Sequence, residues 1–123
     1  MEAQDTLTEQ IIGAAIEVHR TLGPGLLESI YREALLIELI LRGIAAAKEV
    51  EVDVIYKGHI IKAQRLDVLV ESEDVVELKA VANLPDGATA QVLSYLKATG
   101  LKRALLLNFS AARLVDGIKR LSL

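Results

Sequence analysis

The chain has 123 residues, 52% of them hydrophobic and only 3% aromatic, with 14 Lys and Arg against 17 Asp and Glu. This size fits one compact domain, residues 1–123, with an aliphatic core. The mildly acidic balance excludes a protein that coats nucleic acid through bulk positive charge. The absence of cysteine rules out a disulfide framework or a thiolate metal site.

No apolar run reaches the ~18–20 residues that span a bilayer. The opening Met1-Glu2-Ala3-Gln4-Asp5 lacks a basic region followed by an apolar one. The expectation is therefore a cytoplasmic protein with no membrane partner. The surplus of apolar residues in so small a chain predicts a homodimer.

Thr6-Leu7-Thr8-Glu9 has the form of a capping box, and Ile11, Ile12, Ala15, Ile16 and His19 follow at helical spacing. Gly23-Pro24-Gly25 ends this first helix near Leu22. A second helix is expected from about Leu27 to Arg42, with Gly43 as its stop. Gly23-Pro24-Gly25 reads as a helix–helix turn and not a phosphate loop, since the P-loop lysine is missing.

The period then changes. Glu49, Glu51 and Asp53 occupy every second position of a strand from Lys48 to Tyr56 and give it one solvated face. Lys57-Gly58 turns the chain into a long strand, His59 to Val70. Ser72-Glu73-Asp74 turns it again into a third strand, Val75 to Val81. Asn83 to Gly87 is a loop, Ala88 to Thr99 a helix closed by Gly100, and Arg103 to Phe109 a strand buried on both faces. Leu114 to Leu123 is either an edge strand or a short helix. The order α-α-β-β-β-α-β implies an α/β (α+β) fold with a mixed central sheet flanked by helices.

On the third strand Glu77 and Lys79 share a face, because side chains alternate. Ionisable groups on an apolar strand demand partners. A three-residue loop at Ser72-Glu73-Asp74 sets Leu69 opposite Glu77 and Asp67 opposite Lys79. Asp67 and Glu77 are then diagonal neighbours, ~7–8 Å apart at most between backbones. A two-residue loop would put Asp67 on the other face and dissolve the site. Two converging carboxylates suit Mg²⁺ or Mn²⁺. Lys79 would sit beside an activated water, and the backbone carbonyl of Leu78 is an additional candidate ligand.

Asp67 followed by Glu77-Leu78-Lys79 resembles the PD-(D/E)xK signature of the restriction-endonuclease-like superfamily, and the element order is similar to its core. Gly25-Leu26-Leu27-Glu28-Ser29-Ile30-Tyr31 resembles the motif that names the GxxExxY protein family, with likeness running from about Leu7 to Leu121. The resemblance implies a metal-dependent nuclease acting on DNA or RNA, with Glu28 joining Asp67 and Glu77 around the metal. It also implies that Gln91 and Tyr95 support the site from one face of the third helix. One departure is Ala88, where family members often carry a histidine or similar polar group three residues before this glutamine.

The alternative is a protein that keeps the fold but not the catalysis, as a binding or scaffold domain. A dimeric binder of a small ligand through the same carboxylates is a third reading. His19 and His59 read as ordinary surface or boundary residues. Lys57, Lys62, Arg65, Lys102 and Arg103 are scattered and are explained by solubility as well as by phosphate contact.

Overall fold

A computed structural model describes residues 3–123. Helix α1 spans Ala3–Leu22 and α2 Glu28–Leu41. Strands β1 (Ala46–Tyr56), β2 (His59–Val70) and β3 (Asp74–Lys79) follow, then α3 (Ala88–Thr99) and β4 (Arg103–Asn108). A short 3₁₀ turn, Leu114–Gly117, leads into β5 (Ile118–Ser122). The tail is thus a turn of helix followed by an edge strand, so both readings of it were partly right.

The five strands lie in the order β1-β2-β3-β4-β5, antiparallel except for β3 and β4, which are parallel. Helix α3 carries the chain across between those two parallel strands. The central β4 alternates its burial between two cores. Leu105 and Leu107 join Val76, Leu78 and the inner faces of α1 and α2. Ala104 and Leu106 join Val75 and α3 residues Val92 and Leu96 on the other face. The molecule is therefore three layers: two helices, a mixed sheet, one helix.

Three sequence expectations need correction. Helix α1 already includes Ala3, so Thr6 lies inside it and the capping box does not mark its start. The turn between β2 and β3 is Glu71-Ser72-Glu73, one residue earlier than expected, with Glu71 and Ser72 at φ 52° and 55°. The register moves with it: Leu69 faces Val75, not Glu77, and Val70 faces Asp74. The third strand ends at Lys79, because the chain beyond it turns away toward the loop before α3.

Strict alternation also fails on β2. Leu66 packs in the α3 core while Val68, two residues on, packs in the α1/α2 core. The strand twists between them, at Asp67. On β1 the residue between the partners of Leu66 and Val68 is Glu49, held at φ 53°. A left-handed residue inside a strand bends it in the manner of a bulge. The outer half of the β1–β2 hairpin swings toward α3 as a result.

Candidate functional site

The twist opens the sheet. The β2–β3 ladder runs through Val68–Val76, and one more step would set Asp67 opposite Glu77. The side chain of Asp67 completes the ladder where the backbone leaves it: Oδ2 accepts a hydrogen bond from the Leu78 amide at 2.9 Å. The N–H and C=O of a strand residue point to the same side, so the Leu78 carbonyl faces the same gap. The next residue points the other way, and the Lys79 carbonyl accepts from Phe109 N beyond β4 at 2.8 Å.

Glu28, Asp67, Glu77, Lys79 and Arg32 carry the charge around this gap. Glu77 is buried in the middle of the sheet, and Lys79 Nζ lies 3.3 Å from its Oε2. Its other oxygen, Oε1, is buried with no hydrogen-bond partner. Burial first, then the Asp67 charge, pushes the Glu77 carboxyl up to about 7, against the pull of Lys79. Glu28, the first residue of α2, is raised by burial and then by Asp67, while Lys79 and Arg32 pull it down. Tyr95 of α3 is buried and raised by burial, then by Glu77 and Asp67.

These mutual effects place Glu28, Asp67, Glu77, Lys79 and Tyr95 in one electrostatic neighbourhood. Helices α2 and α3 lie on opposite faces of the sheet, and the Asp67 charge acts on both Glu28 of α2 and Tyr95 of α3.

The loop before α2 explains why Glu28 stands there. Gly25 has φ 106°, a conformation that side chains resist. The Tyr31 hydroxyl donates to the Gly23 carbonyl at 2.5 Å and accepts from the Leu26 amide at 3.1 Å. The Tyr31 ring is fully buried and stacks on Phe109 at 4.5 Å between centroids. Gly25, Glu28 and Tyr31 thus act as one unit: the glycine makes the bend, the tyrosine pins it, and the glutamate is delivered to the gap.

Gln91 is not brought in. It lies on the exposed side of α3, although Tyr95 one turn later is buried.

Sequence reasoning missed Arg32. Its Nη1 lies 3.6 Å from Asp67 Oδ1 and its Nη2 3.3 Å from Glu49, while Nε is buried with no hydrogen bond. The available signal was its position one helical turn after Glu28. Glu49 is accordingly more than a member of a solvated face. His19 is also not a surface residue: it is buried, Nε2 lies 2.8 Å from the Ala111 carbonyl, and its ring faces Phe109.

At the far end of β3, Arg103 is likewise not explained by solubility. It holds the fully buried Asp74 at 2.9 Å, and Thr8 Oγ1 donates to that same carboxylate at 2.8 Å.

A mixed sheet flanked by helices, with an aspartate at a strand split beside a Glu-x-Lys strand, defines a restriction-endonuclease-like α+β fold. The sequence model of the PD-(D/E)XK nuclease superfamily matches residues 5–121. The chain belongs to that superfamily. Comparisons with curated proteins and with solved structures gave no significant match.

Proposed function

We propose that this domain is a divalent-cation-dependent nuclease that hydrolyses phosphodiester bonds of DNA or RNA, with Mg²⁺ or Mn²⁺ as its cofactor. The observation that carries this reading is the buried Glu77 Oε1, which has no hydrogen-bond partner in a gap already crowded by Asp67 and Glu28. An uncompensated buried carboxylate oxygen is costly, and a hard cation relieves that cost. Among the described residues no three acids or histidines stand together as a ready-made metal group. Asp67 and Glu77 are therefore the core of the donor set, with the Leu78 carbonyl beside them and Glu28 turning in from α2.

A bound divalent cation supplies a more acidic water and neutralises a phosphate oxygen. The chain's own residues do the rest. Asp67, anchored by the Leu78 amide, and Glu77 would hold that cation against β3. Lys79 leaves Glu77 and orients a water whose oxygen bonds to phosphorus as the bond to the leaving sugar oxygen breaks, the water losing a proton to solvent and the leaving oxygen taking one up, while the ammonium balances the negative charge. Tyr95 closes the site from α3 and limits solvent. The Gly25–Tyr31 unit supports placement in the GxxExxY group, with Glu28 as its characteristic acid.

A second reading, a nuclease-fold binding protein without catalysis, is favoured by one feature: both central acids already have cationic partners, Arg32 and Lys79. Two measurements separate the readings. Calorimetric titration with Mn²⁺ should show binding in the wild type that is lost in Asp67→Ala. Pure protein should cut at least one of single-stranded, duplex or branched DNA or RNA in Mg²⁺ or Mn²⁺, while Lys79→Ala should not. Absence of metal binding at millimolar Mn²⁺ refutes the nuclease reading.

A further inference from the structure

Helix α2 is apolar on two sides. Tyr31, Leu35 and Leu39 face the core and are fully buried. On the outer side Leu27, Ile30, Ala34, Ile37 and Leu41 recur at intervals of three and four residues. Of these, Leu27, Ile30, Ile37 and Leu41 are between 42% and 75% exposed, and Ile40 beside them is 67% exposed. Alternating three-and-four spacing is the pattern of a seam that takes another helix, knobs into holes.

We propose that this outer face of α2 pairs with α2 of a second copy of the chain. Three observations choose that occupant. The first is extent. The seam and its neighbours Leu22, Leu26 and Ile40 expose the equivalent of about four whole aliphatic side chains, which with their rim approaches the ~800 Å² per partner of a standard interface. A groove of about 300 Å³ between α1 and α2, lined by Val18, Leu22, Ala34 and Ile37, offers holes for the partner's side chains.

The second is charge. The acids flanking the seam are already neutralised within the chain, Glu33 by Lys48 and Glu38 by Arg42, both at 2.8 Å. A basic partner is therefore not called for, and a second copy meets no row of like charge. Nor does α2 carry the lysine and arginine face of a helix that lies on a membrane: Arg32 is the single basic residue within its span. The third is orientation. Parallel pairing would set Glu33 of one copy beside Glu38 of the other, whereas antiparallel pairing sets Glu33 beside Ile40. The dimer is an antiparallel two-fold pair.

The test is sedimentation equilibrium and light scattering on the whole chain, from micromolar to millimolar. The wild type should dimerise, and Ile37→Glu, an exposed change that leaves the core intact, should raise the dissociation constant about hundredfold or more with circular dichroism unchanged. The chain has no cysteine, so Ala34→Cys should join into covalent dimers with a short bismaleimide, while Ile60→Cys at the hairpin tip should not. A wild type that stays monomeric at millimolar concentration overturns the proposal. So does a dimer that survives Ile37→Glu, or binding to phospholipid vesicles without self-association.

Discussion

The sharpest consequence of the site concerns the pH dependence of stability carried by Glu77. Its carboxyl is pushed up to about 7 in the folded chain, from an ordinary 4.5. The folded state therefore holds a proton that the unfolded chain has released throughout the interval between those values. Where the folded state binds more protons, stability falls as pH rises. The loss starts near pH 4.5, proceeds at no more than ~1.4 kcal/mol per pH unit, and ends near pH 7. Lys79 at 3.3 Å favours the charged form and so narrows the interval, an effect already contained in the value of about 7. Glu77→Gln cannot titrate, so the difference between its urea midpoint and that of the wild type should widen from pH 5 to pH 7 in favour of the variant and then stay constant. Taking the difference cancels the other carboxylates. Bound cation reverses the sign: Mn²⁺ affinity should rise about tenfold per pH unit below pH 7 and level off above it, because binding releases that proton. Denaturation of both proteins at five pH values, with and without Mn²⁺, checks this. Parallel curves for wild type and Glu77→Gln without metal would refute the account of Glu77 as a strained buried acid.

Three further substitutions probe what holds the gap in place. Asp74→Ala removes the 2.9 Å partner of the Arg103 guanidinium and leaves it Glu73 at 3.8 Å, and should cost about 1–3 kcal/mol in urea denaturation. Tyr31→Phe keeps the stack on Phe109 but loses the bonds to Gly23 and Leu26. It should cost about 1–2 kcal/mol and lower nuclease activity more than stability, since Glu28 loses its fixed approach; equal loss of both would count against the pinned loop. Gly117→Ala would set a methyl carbon 2.5 Å from the Asn108 carbonyl oxygen, so the turn before β5 must shift. About 1–3 kcal/mol is expected, with amide exchange faster across β5 than across β3.

Periodicity made most of the fold legible. The switch from helical spacing before Gly43 to alternation after it located two helices and a meander. The run from Arg103 to Phe109 revealed a strand covered on both faces, and β4 is buried along its centre. What failed depended on tertiary geometry. The loop at Glu71–Glu73 uses two left-handed non-glycine residues, which no local preference announces. The face argument for Asp67 assumed a flat, strictly alternating strand, yet β2 twists at that residue. Arg32 was illegible for a related reason. On sequence it is one more charge on an amphipathic helix, and only the open ladder brings Asp67 and Glu49 to its guanidinium.

The same atoms that form the gap also withhold stability from it. A continuous β2–β3 ladder would pair Asp67 with Glu77 through their backbones and bury the sheet evenly. Glu49 at φ 53° and the twist of β2 forgo that pairing. The Leu78 amide is then satisfied by a carboxylate in place of a carbonyl, which leaves an acid anchored at one oxygen and turned to Arg32 with the other. Three acids, Glu28, Asp67 and Glu77, face two cations, Arg32 and Lys79. A divalent ion would take the fully ionised set from a net −1 to +1, the complement of the single negative charge on a phosphodiester. Strain of this kind persists only when the surrounding structure holds it, and here the buried Tyr31–Phe109 stack on one side and the Asp74–Arg103 pair at the far end of β3 do so. Variants that relax the gap, Glu77→Gln above all, should therefore gain stability in the same step that removes the site.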